Sequence, residues 1–331
     1  MIHRPKILVV SLGGTITMTR DSTGAITPTL SAADLVHAVP GIESVADIEA
    51  VSLMRIPGAS LSLDNLLELA ALIEDATASG KDGVVVIQGT DTIEETAFTL
   101  DLLLKTEAPV VVTGAMRGPE AAGADGPANV LAAAIVAADA RSGRFGTLVV
   151  LNDEIHAARF VQKSHTALPS AFTSPSAGPV GLVVEGGAVF HVLLARKEPL
   201  AWNLQSPDQP VALVCMALGD DGRILRALSD LGYRGAVLAG MGAGHVPADV
   251  VPLVRDLVRT MPVVLATRVH SGPVFSNTYG FPGSEKDLLA AGVQWAGSLN
   301  PLKARLLLML ILRQAADRSQ IEDAFRARVS S

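Results

Sequence analysis

The stretch "GVVVIQGTDTIEETAF" (residues 83–98) decides how this chain is read. Val84 to Ile87 form a continuous β-branched run with no polar alternation. That is the pattern of a strand covered on both faces. It stops at Gln88-Gly89-Thr90-Asp91-Thr92, and a helical pattern then begins with Glu94 and Glu95. A helix cap accounts for part of the turn. Asp91 with Glu94, or Thr92 with Glu95, matches a capping box, and acidic residues suit the first turn of a helix. A cap does not account for three consecutive polar residues after a glycine at the end of a buried strand.

Working outward, the pattern recurs at "KILVVSL" (6–12), which runs into Gly13-Gly14-Thr15. "APVVVT" (108–113) and "GTLVVLN" (146–152) are further apolar runs. Between them, Leu66, Leu69, Ala70 and Ile73 recur at helical spacing, and "PANVLAAAIVAADA" opens with Pro127, suited to a first helical position. This βαβα order predicts a mainly parallel α/β sheet. "GLVVEGGAVFHV" (181–192) reads as a hairpin turning at Glu185-Gly186-Gly187. "ARKEPLAWNLQSPDQP" (195–210) has three prolines and little periodicity. The rhythm then restarts at 211–217, 235–240 and 262–267, and the chain closes on a very apolar helix within 300–318. The width of its apolar face exceeds one core stripe and predicts that part of it faces another subunit. Two α/β domains are expected, a larger one at 1–196 and a smaller parallel one at 210–331, joined by a linker at 197–209.

The chain has 331 residues, 49% of them apolar and 18% charged, with a net charge of −7. This composition builds a sizeable core and excludes disorder. The acidic balance and the lack of a basic cluster argue against nucleic acid, whose binding rests on phosphate neutralisation. No apolar run reaches the roughly 18 residues of a membrane span. The apolar part of "MIHRPKILVV" is too short for a secretory signal. The single cysteine, Cys215 in "VALVCMA", is expected to be a small buried hydrophobe. The cytoplasm is the expected location.

In open α/β sheets, ligands bind beyond the carboxyl ends of the strands. Thr15 and Thr90-Asp91 both fall there. A threonine hydroxyl needs a neighbouring base to act as a nucleophile, and a lysine held by a carboxylate can serve. Lys163, in "RFVQKSHT", follows the run at 146–152. Taken alone, Thr15 reads equally as a helix cap and Lys163 as a solvated surface residue. Rival chemistries lack their signatures. "GMGAGH" (240–245) fails as a dinucleotide fingerprint because its third glycine comes one residue early. GxxxxGK[ST], HExxH, CxxC and GxSxG are missing, and the seven histidines are scattered.

"SLGGTIT", "IQGTDTIEETAFTLDLLL", "PVVVTGAMRGPEAAGADGPANVLAAA", "VVLNDEIHAARFVQKSHT" and "GSLNPLKARLLLMLIL" together resemble the bacterial-type L-asparaginases, in that family's order over nearly the whole chain. The resemblance implies the two-domain asparaginase-type fold, with a mixed, mainly parallel N-terminal sheet and a smaller parallel C-terminal one. It implies an amidohydrolase that converts asparagine to aspartate and ammonia with no metal or cofactor. Thr15 would be the nucleophile, and Thr90, Asp91 and Lys163 the second triad. Gly14, Gly58, Ala59, Ser60, Gly89, Thr90, Asp91, Ala115 and Glu285 would contact the substrate. The assembly implied is a homotetramer, a dimer of dimers, in which a neighbouring subunit completes each site. A mobile lid is implied as well, with its hinged segment bracketed by Gly24 and Pro28.

The chain departs from the family in three places. The lid "TMTRDSTGAITPTLSAADL" lacks the family's activating tyrosine, for which Tyr279 is a candidate substitute. Gly58 and Ala59 stand where the family has a Ser-Gln type of pair, with Ser60 close by. Ala243 replaces the asparagine of an "AGxGNG" turn. Asn277 and His165 are weaker site candidates. Two rival expectations follow: hydrolysis of another amide, lactam or imide by the same machinery, or a ligand-binding homologue with impaired catalysis.

Overall fold

The structure is a computed structural model that describes residues 4–14, 16, 18–20, 26–28 and 30–329. Thr15 and Gly24 lie outside the described residues. The chain divides into two compact units, one running to Pro199 and the other starting at Leu200.

The first unit is built on β1 (Lys6–Ser11), β2 (Met18–Arg20), β3 (Ile26–Pro28), α1 (Ala32–His37), α2 (Ile42–Val45), β4 (Asp47–Ser52), α3 (Leu63–Ala78), β5 (Gly83–Ile87), α4 (Ile93–Leu103), β6 (Val110–Thr113) and α5 (Gly126–Ala138). It continues with β7 (Thr147–Leu151), β8 (Glu154–Ala157), β9 (Gln162–Lys163), β10 (Phe172–Thr173), β11 (Gly181–Val184) and β12 (Gly187–Phe190). Eight strands form one sheet in the order β12-β11-β8-β7-β6-β5-β1-β4. From β4 to β7 the pairing is parallel, and from β7 to β12 it is antiparallel. β5 is buried along its whole length, as its continuous apolar run requires. Ile7, Val9, Val85, Ile87 and Val111 share one core cluster with α5 residues such as Ala133 and Val136. The intervening Leu8, Val10, Val84, Val86 and Val112, also buried, point to the opposite face by strand alternation.

β4 is an edge strand that the sequence reading did not mark. "DIEAVS" is only half buried, so its polar residues mask the strand pattern. At the other edge, Glu185 (φ 50°) and Gly186 (φ 76°) make the tight turn of the β11–β12 hairpin. β2 and β3 form a separate antiparallel ribbon in the expected lid segment.

The second unit holds β13 (Val211–Cys215), α6 (Arg223–Ala227), β14 (Gly235–Gly240), α7 (Val251–Thr260), β15 (Val263–Thr267), α8 (Glu285–Ala290), β16 (Gln294–Trp295), α9 (Pro301–Leu312) and α10 (Arg318–Val329). Its sheet is parallel, in the order β13-β14-β15-β16. Two sequence expectations are corrected here. Cys215 is exposed rather than buried, because β13 is an edge strand on which Leu213 and Cys215 alternate outward. The last helix is not one but two, parted near Ala315 (φ 54°). Much of the apolar surface of α9 is buried within this chain, while Leu302 stays exposed. Leu306 to Ile311 are all buried, and α9 packs on β13, β14 and β15 and against α10.

Candidate active site

Parallel pairing sends the loops after β1, β4, β5 and β6 out along the same edge of the sheet. Three of these loops meet backbone to backbone, at glycines. A Cβ built on Gly14 (φ 96°) would lie 2.1 Å from Gly89 N, and one on Gly58 would lie 2.8 Å from Gly89 O. The fourth loop closes in at Gly114, where a Cβ would stand 2.5 Å from Gln88 O. Only residues without side chains let these backbones approach so closely. Of the described residues next to position 15 in the chain, Gly14 touches Gly89, and Ile16 is buried beside Gly126.

The polar residues of the 88–92 turn are used in ways a helix cap would not use them. Thr92 makes no capping bond to α4. Its hydroxyl donates to Gly58 O (3.0 Å) and accepts from Gln88 Nε2 (3.2 Å). Thr92 thus ties the turn to the 58–60 loop. The Ala115 loop is tied from α5: Asn129 Nδ2 donates to Gly114 O (2.9 Å), and the Met116 N–H donates to Asp125 (2.9 Å).

Lys163 reaches this turn from β9. Its Nζ donates to Thr90 Oγ1 at 2.9 Å and to Asp91 Oδ1 at 2.9 Å. Its backbone N–H donates to the buried Glu94 carboxylate at 3.1 Å. Thr90 is 8% exposed, the Lys163 side chain 18% and the Asp91 side chain 66%. A pair with so open a carboxylate adds at most about 1 kcal/mol to stability. Stability therefore gives little reason to bend a lysine back onto a threonine hydroxyl. A lysine ammonium held on a threonine hydroxyl and a carboxylate is, chemically, an arrangement able to pass a proton.

The remaining candidates are placed as follows. Gly14, Gly58, Gly89 and Ala115 are buried where the loops meet, and Ala59 and Ser60 are exposed beside them. His165 is spent on its own loop, Nδ1 accepting from Ala167 N (3.0 Å) and Leu168 N (3.1 Å). In the second unit, Asn277 and Tyr279 are exposed. Glu285 is fully buried, and its Oε1 accepts from Thr278 N (2.8 Å) and Tyr279 N (2.7 Å). Burial opposes ionisation of Glu285. These two N–H donors outweigh it, with a smaller contribution from His245, and hold the carboxyl below its ordinary range. His245 Nε2 lies 3.3 Å from Glu285 Oε2, and the His245 ring meets those of Tyr279 and Phe281 edge-on. Among the described residues, no cluster of three or more His, Cys, Asp or Glu side chains could hold a metal ion.

Sequence reading missed Glu94 and His245. Glu94 reads as a first-turn helix acid, and His245 closes a glycine-rich turn that partly mimics a nucleotide-binding fingerprint.

The asparaginase N-terminal family model matches residues 6–194, and the glutaminase/asparaginase C-terminal domain model matches residues 210–325. The chain belongs to the asparaginase family. It is 36% identical to a probable L-asparaginase of Deinococcus radiodurans, with 97% of both chains covered. It is 34% identical to L-asparaginase 2 of Escherichia coli, over 97% of this chain and 92% of that one. A solved structure of a probable cytoplasmic L-asparaginase from Campylobacter jejuni superposes with a TM-score of 0.87 at 32% identity, covering 98% of this chain and 99% of that one. The asparaginase fold is therefore shared throughout, with the mixed sheet in the first unit and the parallel sheet in the second.

Within this asparaginase family frame, the glycine at 58 gains a physical reason. A serine there would place its Cβ against the Gly89 carbonyl, so the loop sits closer to the turn than a side chain allows. Residue 58 can offer a substrate only backbone groups.

Proposed function

We propose that this chain hydrolyses a side-chain amide, with asparagine as the leading substrate and Thr15 as the nucleophile. The observation that carries the reading is Lys163 Nζ at 2.9 Å from both Thr90 Oγ1 and Asp91 Oδ1, beside the backbone contact of Gly14 with Gly89. In this reading, Thr15 Oγ attacks the amide carbonyl carbon. The C–N bond breaks, ammonia leaves with the proton it needs, and a water then cleaves the threonine ester to the acid. Thr90 and Lys163 carry the proton to and from the attacking oxygen, and Asp91 orients the lysine. Backbone N–H groups of the glycine loops receive the oxyanion, a role typically worth about 3–4 kcal/mol. Gly14, Gly58, Ala59, Ser60, Gly89 and Ala115 would face the substrate.

The likeness to L-asparaginases supports asparagine. The bare Gly58-Ala59 pair favours a second reading, an amide, lactam or imide with fewer charged ends, since each missing hydrogen bond to a charged end costs about 1–3 kcal/mol. We further infer a homo-oligomer in which a neighbouring copy brings its 277–285 segment to the site, and a cytoplasmic location, in keeping with the Campylobacter protein.

Ammonia release from asparagine, glutamine and a panel of small amides, lactams and imides tests the reading, with Thr15→Ala and Lys163→Met as controls. Turnover lost in both folded variants is expected. Wild-type turnover in Lys163→Met would defeat the mechanism. Negligible asparagine cleavage beside fast cleavage of another amide would defeat the substrate alone.

A further inference from the structure

Lys163 is carried by a very small element. β9 and β10 pair only Lys163 with Phe172 and Gln162 with Thr173, in a sheet of their own. A two-stranded ribbon this short does not hold its own register in water. Ser164 reinforces it, donating from both N–H (2.7 Å) and Oγ (2.9 Å) to Ala171 O. Buried Ala171 and Phe172 anchor it by apolar burial. Apolar burial is non-directional, so it holds the ribbon down without fixing it along its length.

On the β9 side the ribbon is tied by the Lys163 N–H to Glu94 (3.1 Å) and by the Val161 N–H to Ala157 O of β8 (3.1 Å); on the β10 side a side-chain tie joins it to the large sheet. His156 lies on β8, opposite Val149 of β7, and is 1% exposed. Its Nδ1 is 2.9 Å from Oγ of Ser174, the residue that follows β10. Ser174 is 5% exposed, and its carbonyl accepts from Gly178 N (2.8 Å), which fixes the serine in turn. On the other side of the ring, Nε2 faces Glu154 Oε2 at 3.4 Å. The tautomer with its proton on Nε2, toward that carboxylate, leaves Nδ1 to accept from the serine hydroxyl. Burial keeps the ring uncharged by pushing its pKa down, against the pull of Glu154.

We propose that His156 and Ser174 are positioning residues for Lys163, together setting where β9 presents the ammonium to Thr90 and Asp91. The inference rests on the proton-relay role given to Lys163 above. Neither residue touches the reacting atoms. Loss of their bond frees the β10 strand that flanks Lys163 and loosens the aim of its ammonium, so it acts on the chemical step and leaves substrate contacts in place.

The test measures kcat, KM and melting temperature for Ser174→Ala, His156→Leu and His156→Asn, on asparagine or the best amide of the panel. A misplacement of about 1 Å costs on the order of 100-fold in rate, so a partly released ribbon should lower kcat at least about tenfold, with KM held within about twofold. His156→Asn puts a polar atom near the place of Nδ1 and leaves a void beyond it. It should regain most of the lost kcat while its melting temperature stays low, a split that a purely structural role would not produce. Ser174→Ala removes a single buried oxygen and keeps the test open should His156→Leu fail to fold. Folded Ser174→Ala with wild-type kcat would overturn the proposal, as would His156→Asn no faster than a folded His156→Leu. Lys163→Met separates the levels. If it keeps turnover, or if no amide is cleaved at all, the functional reading falls and this inference with it. If it is inactive while Ser174→Ala is not, only the positioning role falls.

Discussion

Gly14→Ala is the most direct probe of how the site is assembled. At φ 96°, an L side chain on this backbone costs about 1–2 kcal/mol. Its Cβ would sit 2.1 Å from Gly89 N and 2.3 Å from Gly89 Cα. Carbon contacts need roughly 3.5 Å, so the 12–16 and 88–92 loops must part by more than about 1 Å. Both partners are backbone, and no rotamer change relieves the overlap. Overpacking of this kind adds about 1–3 kcal/mol, for a total destabilisation of about 2–5 kcal/mol. The turn displaced is the one that carries Thr90 and Asp91. A shift of about 1 Å there should lower kcat by roughly 100-fold or more. Steady-state ammonia release and urea unfolding read the two effects. Gly41→Ala is the matched control: φ is 82°, but nothing lies within 4 Å of the added carbon. It should cost only the backbone strain, about 1–2 kcal/mol, and leave kcat unchanged. If Gly14→Ala behaves like Gly41→Ala in both assays, the backbone-on-backbone account of this site is wrong.

Further outcomes are expected. Thr92→Val removes the hydroxyl linking Gln88 to Gly58, so unfolding free energy should fall by about 1–3 kcal/mol and KM should rise as the 58–60 loop loosens. Gly58→Ser should not improve asparagine binding, because its Cβ meets the Gly89 carbonyl before its hydroxyl meets a substrate. A lower KM for asparagine would contradict the packing. His156 has a folded pKa below its ordinary 6.5, so the unfolded chain binds the extra proton first. Stability is then fully present above about pH 6.5 and falls as pH drops toward the folded pKa, by up to about 1.4 kcal/mol per pH unit. Urea midpoints across that range should show the slope in the wild type and lose it in His156→Asn. Glu285→Ala should destabilise the second unit by about 2–4 kcal/mol, since it strands the Thr278 and Tyr279 N–H groups, whereas Glu285→Gln keeps an acceptor and should cost less.

The strands that form the centre of the first sheet were legible in the sequence, because burial on both faces imposes an unbroken apolar run that nothing on the surface copies. Partial exposure blurred this signal. β4, which carries Asp47 and Glu49 along a sheet edge, was not marked at all, and β13 was read as a strand but gave no sign that Leu213 and Cys215 turn outward. The end of α9 was also hidden, since the break at Ala315 involves no glycine or proline.

The sequence by itself determined that the chain is α/β, that it has two main sheets, one per domain, and that its hydroxyls cluster at the ends of buried strands. Those properties are local, written in residues a few positions apart. Only the tertiary structure decided that Thr92 bonds to Gly58 instead of capping a helix, that Lys163 bends onto Thr90 and Asp91, and that Glu285 spends its carboxylate on its own loop. Each polar group had several partners within reach of its chemistry. The choice fell to the parallel pairing and the glycine contacts that bring residues 14, 58, 89 and 163 together across long stretches of chain.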